Sequence, residues 1–130
     1  PAVFFHNISS DGWKYGDTLS FNPDLHDSIV NGELNIVIRH SNAYAYSNLW
    51  LEIRHFNGIG TRVDTVNIEM ADVYGRWYGN GLGSSFQYQL PVSHNITLYK
   101  GKPINIRHIM RVDKLEAIEQ IGLLFTEQDK

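Results

Sequence analysis

The chain is built largely of short segments in which apolar and polar residues alternate or apolar β-branched residues cluster. Six segments carry this signal most clearly: 34–40, 49–54, 62–70, 86–90, 104–108 and 121–126. A two-residue period is typical of a strand with one buried face and one exposed face. Two weaker segments, 3–7 and 18–21, precede them, so the pattern predicts about eight strands.

Turn-forming residues separate these segments, as in Asn31-Gly32 and Asn57-Gly58-Ile59-Gly60. Asn and Gly tolerate the backbone angles that tight turns require. Only Asp113–Glu119 has helical spacing, through Leu115 and Ile118, and it predicts one short helical turn near 113–119. Many short strands with regular turns predict an all-β fold, an antiparallel β-sandwich of jelly-roll type.

Length and composition narrow the class of protein. A chain of 130 residues is long enough for one buried core, so we expect a single domain over residues 1–130. The formal net charge of -3 offers no basic excess for nucleic acid. The absence of cysteine excludes disulfides, cysteine-ligated zinc and thiol catalysis. No segment approaches the length of a membrane span, and no cofactor motif is present.

The tripeptide Ile-Arg-His occurs three times and ends at His40, His55 and His108. Side chains alternate across a strand, so each isoleucine and histidine share the buried face while the arginine takes the other face. Three histidines on strands raise the question of a metal site. We expect instead that they are strand-end residues, hydrogen-bonded at the margin of the core, and we predict no metal.

One pairing of the first two copies is self-consistent, an antiparallel hairpin with Ile36 opposite Ile53. In this register His40 and His55 lie roughly 20 Å apart, at about 3.3 Å per residue, which is too far to share a metal ion. The same register predicts that Arg39 lies opposite Trp50 on the outer face, within reach of a cation–π contact.

The most distinctive stretch is the glycine-rich segment 71–83. Trp77 and Tyr78 offer a stacking surface for a sugar ring or a partner protein, and Asp72 and Arg76 offer polar contacts. The alternative is a wide turn in which the glycines permit positive φ angles and Trp77 closes the edge of the core.

Two tyrosines, Tyr44 and Tyr46, fall in the segment between the strands at 34–40 and 49–54. Because they are two residues apart, their side chains lie on the same side of an extended chain, and they form a candidate platform beside Trp50. The alternative is that they pack across the loop with hydrogen-bonded hydroxyl groups. The candidate binding surface therefore comprises Arg39, Tyr44, Tyr46, Trp50, Asp72, Arg76, Trp77 and Tyr78.

Three motif segments, 39–51, 64–83 and 109–123, occur in an order and spacing that resemble the gliding-motility lipoprotein H (GldH) family. The shared pattern begins with Arg-His, two spaced tyrosines and Asn-Leu-Trp. It continues with Ala-Asp, a tryptophan and three alternating glycines, and it ends in Met-Arg with a Leu-Ile-Ile-Gly pattern. The resemblance covers about Trp13 to Phe125, which is most of the chain.

The resemblance implies an envelope lipoprotein, made with a signal peptide and held by a lipid on an N-terminal cysteine. We expect that this anchor segment has been removed from the present chain and that the domain faces the periplasm. The implied role is non-enzymatic contact with other envelope and motility proteins in a gliding or secretion-associated assembly. Two alternatives remain open: a glycan-binding sandwich module, and an enzyme, for which no nucleophile–base arrangement is evident.

Overall fold

The computed structural model describes residues 2–128, and this part of the chain forms strands and connecting loops without a helix. The strands are β1 (Ala2–Asn7), β2 (Trp13–Lys14), β3 (Leu19–Phe21), β4 (Ile29–Ser41), β5 (Asn48–Phe56), β6 (Thr61–Glu69), β7 (Asn80–Leu82), β8 (Ser85–Tyr99), β9 (Ile104–His108), β10 (Lys114–Leu115) and β11 (Ile118–Glu127). Within the described residues, no helix is long and apolar enough to cross a membrane.

Two antiparallel sheets form the body of the molecule. The first has the strand order β1-β11-β4-β8-β7, and the second has the order β3-β9-β5-β6. The pairs β1/β11, β3/β9, β4/β8 and β5/β6 alternate between the two sheets, as in a long antiparallel ribbon rolled on itself. This is jelly-roll topology, so the predicted all-β sandwich and its eight main strands are confirmed.

The core lies between the sheets and is built mainly from aliphatic side chains of the two central strands. Leu34, Ile36 and Ile38 of β4 are buried in one cluster with Leu51 and Ile53 of β5. Each side chain of this kind stabilises the fold by about 1.5–3 kcal/mol when fully buried. The alternating pattern of the sequence therefore marks the inner face of each sheet correctly.

The predicted hairpin of the first two Ile-Arg-His copies is wrong, because β4 and β5 belong to different sheets. Ile36 lies opposite Leu90 and Leu123, whereas Ile53 lies opposite Asp64 and Ile106. Alternation specifies which face of a strand is buried, but it does not specify the partner. The connection 42–47 is long enough to carry the chain from one sheet to the other.

The predicted cation–π contact between Arg39 and Trp50 is wrong for the same reason. Arg39 lies on the outer face of the first sheet, where its Nε is 3.6 Å from Oε1 of Glu119. Trp50 lies in the second sheet, opposite Asn67.

The helical turn predicted at 113–119 is also wrong. Residues Lys114–Leu115 form β10 instead, and Leu115 pairs with Trp13 of β2. Ala117 then adopts a left-handed conformation with a φ angle of 71°, and Ile118 begins β11. Leu115 and Ile118 are both buried. The short strand β10, followed by one left-handed residue, therefore directs both side chains into the core without a helix.

Two of the three repeated histidines are buried and hydrogen-bonded at strand ends, as predicted. Nδ1 of His40 is 3.0 Å from the carbonyl oxygen of Ser41, and Nε2 of His108 is 2.8 Å from that of Trp13. Burial lowers the pKa of His108 and favours its neutral form. His55 lies at the far end of β5, with Nε2 3.6 Å from Oδ2 of Asp64.

The arginines of the second and third copies share one carboxylate on the outer face of the second sheet. Arg107 donates from Nε and Nη2 to the two oxygens of Glu52, at 2.9 and 3.0 Å. Arg54 donates from Nε to Oε1 at 2.7 Å. These hydrogen bonds lower the pKa of the buried Glu52 to about 2, and those from Arg107 have the largest effect.

We expect Ala117→Gly to raise the free energy of unfolding by about 1 kcal/mol, because a left-handed conformation strains any residue with a Cβ atom. Ala45→Gly is the matched control at a position outside the left-handed region, where it should lower stability by roughly 0.5 kcal/mol. Urea titration of both variants measures the difference. Equal destabilisation by the two changes would show that Ala117 is not strained.

We expect Glu52→Gln to lower the free energy of unfolding by on the order of 2 kcal/mol at pH 7, because charge-assisted hydrogen bonds are lost. The folded pKa of Glu52, about 2, lies below its ordinary value of 4.5. The stabilisation is therefore complete above pH 4.5 and is lost as the pH falls towards 2. Denaturant titrations should show a smaller difference in the free energy of unfolding between variant and wild type at pH 3 than at pH 7. The exposed Glu116→Gln is the control, and a gap independent of pH would contradict the assignment.

Candidate interaction surface at the 70–79 connection

Two connections meet at one end of the sandwich: 42–47, between β4 and β5, and 70–79, between β6 and β7. The backbone amides of Met70 and Ala71 both donate to the carbonyl oxygen of Ser47, at 2.7 and 3.3 Å. Within the second connection, the amide of Tyr78 donates to the carbonyl oxygen of Met70, and Ala71 forms a bridge with Trp77. The two connections are thus tied together through their backbones.

An aromatic cluster fills the space beneath these connections. The ring of His40 lies 4.7 Å from that of Trp77, 5.5 Å from Phe86 and 5.9 Å from Tyr44. Tyr46 meets Tyr44 edge to face at 5.7 Å. Aromatic pairs at these separations contribute beyond the area that they bury. The cluster joins the strand end at His40 to both connections.

The polar ends of two cluster residues are hydrogen-bonded within the same region. The hydroxyl of Tyr44 donates to the carbonyl oxygen of Asn48 at 2.6 Å, and Nε1 of Trp77 donates to Oδ1 of Asn42 at 2.9 Å. Burial, with a smaller effect from Tyr46, raises the pKa of Tyr44 far above its usual range. Tyr44 and Trp77 therefore brace the connections, in line with the alternative interpretation of each.

The connection 70–79 projects a tight turn stabilised by Asp72. The amide of Gly75 donates to the carbonyl oxygen of Asp72 at 3.0 Å, which closes a β-turn over Val73 and Tyr74. Oδ1 of Asp72 accepts from the amides of Tyr74 and Arg76, both at 2.9 Å. The bond from the Arg76 amide is the largest cause of the lowered pKa of Asp72. These hydrogen bonds thus fix the conformation of the turn within the chain itself.

Two apolar side chains stand at the tip of this turn, and the solvent reaches almost all of each. Val73 is 93% exposed and Tyr74 is 80% exposed. The guanidinium group of Arg76 lies 5.5 Å from the centre of the Tyr74 ring, and its Nε is 3.3 Å from Oδ2 of Asp72. We call Val73 and Tyr74 the tip.

The structure brings some of the predicted surface residues together and separates others. Tyr44, Tyr46 and Trp77 share the aromatic cluster, while Asp72 and Arg76 stabilise the turn above it. The ring of the half-exposed Tyr78 lies 6.0 Å from that of Tyr88 on β8. Arg39 and Trp50 lie on the outer faces of the first and second sheets, so they do not share a face.

Val73 and Tyr74 are not among the surface residues predicted from the sequence. A local signal was available, because Asp-x-x-Gly is a frequent type I turn sequence with Asp first and Gly fourth. Such a turn places its two central side chains at the outermost point of the chain. Apolar residues at these two positions in Asp72-Val73-Tyr74-Gly75 mark an exposed tip.

A second group of polar side chains lies on the surface elsewhere. Within the described part of the chain, His26, Asp27 and Glu127 place possible metal-ligand atoms within 4.8 Å of one another. All three residues are exposed, and Nε2 of His26 lies 3.3 Å from Oδ2 of Asp27 and 3.6 Å from Oε2 of Glu127. Exposed groups of this kind are common without a metal, and we assign no metal to them.

We expect Asp72→Ala to make the turn that carries the tip more mobile, because the amides of Tyr74 and Arg76 lose their shared acceptor. Amide hydrogen exchange at these two positions should accelerate at least tenfold, while exchange in β4 and β5 stays unchanged. Asp72→Asn keeps an acceptor oxygen and is the control, with exchange close to wild type. Unchanged protection in Asp72→Ala would show that the carboxylate does not fix the turn.

Comparison with known proteins places this architecture in a family. The family described as GldH lipoprotein matches residues 4–124. The gliding motility lipoprotein GldH of Flavobacterium johnsoniae is 27% identical over 126 residues, covering 90% of this chain and 79% of the relative. A GldH homolog of Christiangramia forsetii is 30% identical over 128 residues, covering 90% of this chain and 78% of the relative. The chain belongs to the GldH lipoprotein family.

Proposed function

We propose that this protein is a lipid-anchored component of the cell envelope that contributes to a gliding-motility or secretion-associated assembly. Membership of the GldH lipoprotein family and the names of its two relatives support this role. In this proposal an N-terminal lipid holds the protein on the membrane, and the domain faces the periplasm. Its partners are other envelope and motility proteins, and it acts by contact rather than by catalysis.

The observation that carries the contact function is the ordered apolar tip. A side chain that is fully hydrated in the free protein gains the most from burial against a partner. Tyrosine is enriched among the residues that dominate binding energy at protein interfaces. Because the hydrogen bonds of Asp72 already fix the turn, binding costs little additional ordering of the loop.

Residues around the tip supply the rim of the proposed surface. Arg76 and Asp72 are polar and lie directly beside Val73 and Tyr74. Tyr46, within the aromatic cluster, and Tyr78, beside Tyr88, are both partly exposed. An apolar centre within a polar rim is the usual anatomy of a specific protein interface.

The geometry does not favour a glycan platform at this end of the molecule. A sugar ring stacks on aromatic faces that are coplanar and open to solvent. Here the Tyr44 ring is inclined by 73° to Tyr46 and by 53° to Trp77, and Tyr44 is buried. The carboxylates of Glu52 and Asp72 are likewise engaged in structural hydrogen bonds, and these contacts support a non-enzymatic role.

The tip is tested in the full-length protein with its own N-terminus, expressed in its host and recovered in mild detergent. We expect the double variant Val73→Ser, Tyr74→Ser to recover at least one of the co-purified envelope proteins at no more than a tenth of the wild-type amount. Quantitative mass spectrometry of the recovered material measures this loss. The double variant should keep the wild-type midpoint of thermal unfolding, because neither side chain touches the core.

Ile59→Ser is the matched control, since Ile59 is 95% exposed at the opposite end of the sandwich. It removes one exposed aliphatic side chain outside the tip and should leave the co-purified set unchanged. Equal recovery with the tip variant and the control would contradict the proposed contact site. Recovery of no other envelope protein with wild type would contradict the assembly role itself.

A further inference from the structure

A cleft opens between the two sheets at the end of the sandwich opposite the tip. Its volume is about 550 Å³, within the range of ligand-binding clefts. Five aliphatic side chains and a rim of polar groups line it. The aliphatic residues are Leu34, Ile53, Val66, Val92 and Ile96, and polar residues of the rim include Asn57, Ser93, Asn95 and Thr97.

The walls of the cleft are the edges of the two sheets. β6 is the last strand of the second sheet, and it pairs only with β5 within the described part of the chain. β8 is the penultimate strand of the first sheet, but β7 covers only its residues 85–87. Two strand edges therefore flank one aliphatic floor, and each has backbone groups available for another strand.

The two edges differ in regularity. All nine residues of β6 pair with β5 in an unbroken register, and β6 contains no proline. β8 carries Pro91, which has no amide hydrogen, and its pairing with β4 shifts register on both sides of Leu34. Thr65 lines the cleft although its side chain belongs to the outer face, so the wall includes the backbone edge of β6. β6 is the better template for an added strand.

We propose that this cleft receives an extended peptide segment of a partner protein, which pairs with β6 as a fifth strand of the second sheet. Main-chain hydrogen bonds to β6 supply affinity, and alternate side chains of the peptide enter the cleft. This contact is additional to the tip and does not depend on it. Among the described residues that line the cleft there is no Phe, Tyr or Trp, so its chemistry suits aliphatic side chains better than sugar rings.

Charges on the inner face of β6 restrict the occupant. Arg62 and Asp64 form an ion pair at 3.1 Å, and Nε2 of His55 lies 3.6 Å from Asp64. Inward-facing charges on an edge strand disfavour unselective strand pairing. Because the two charges offset each other, the segment that fits presents uncharged aliphatic side chains at alternate positions, beside Val66 and Val92.

Nuclear magnetic resonance with synthetic nine-residue peptides tests this proposal. The probes alternate Thr with Val, Ile or Leu and carry a lysine at each end for solubility. Matched peptides have the same side chains but N-methylated backbones at alternate residues, so they cannot complete a strand ladder. We expect at least one unmodified peptide at millimolar concentration to slow amide exchange in Thr61–Glu69 at least fivefold, while its methylated form has no effect.

Two variants locate the site. Asn95→Trp fills the mouth of the cleft and should abolish the protection, whereas Gln89→Trp, on the outer face of the same strand, should leave it unchanged. Equal effects of methylated and unmodified peptides would overturn strand addition and indicate a site for side chains or small molecules. Failure of every peptide to protect β6 would also overturn the proposal, and the co-purification test of the tip would stand independently.

Discussion

The contact between the inner faces of β4 and β5 is the interaction on which the rest of the structure depends. These strands lie in different sheets, and their leucines and isoleucines form the centre of one buried cluster. Removing this apolar surface from water supplies most of the stability of such a sandwich. It also fixes where the connection 42–47 must cross, and hence where the aromatic cluster and the 70–79 connection are built.

The Ile-Arg-His repeat shows how one short pattern meets three different environments. Its isoleucines are buried because alternation directs them inward, and its arginines reach glutamates because alternation directs them outward. Two arginines converge on Glu52 only because β5 and β9 are neighbours in the second sheet. The histidines at 40 and 108 are wholly buried and hydrogen-bonded, while His55 lies where the sandwich opens into the cleft.

The features that a local pattern determines could be predicted from the sequence, and those that depend on which strand pairs with which could not. Strand positions, the buried face and the sandwich class follow from alternation, which is a local property. The strand partner of Ile36 does not follow from alternation. An aliphatic face packs equally well in several registers, and only the fold of the whole chain selects one of them. The helical turn predicted at 113–119 was wrong for a related reason. Ala117 adopts a left-handed conformation there, and the amino-acid sequence does not reveal it. Tyr44 and Trp77 were predicted as candidate surface residues, but the hydrogen bond from Trp77 to Asn42 joins residues 35 positions apart and depends on the fold of the whole chain.

The strand β6 connects the cleft to the tip and therefore sets the distance between these two surfaces. Its first residues form a wall of the cleft, and its last residue leads directly into the connection that carries the tip. Nine residues of strand span roughly 26–30 Å at about 3.3 Å per residue. One protein docked at the tip and another docked in the cleft would therefore be held apart at a fixed distance by a rigid strand. In that arrangement the domain acts as a spacer, and its dimension is set by backbone geometry rather than by side chains.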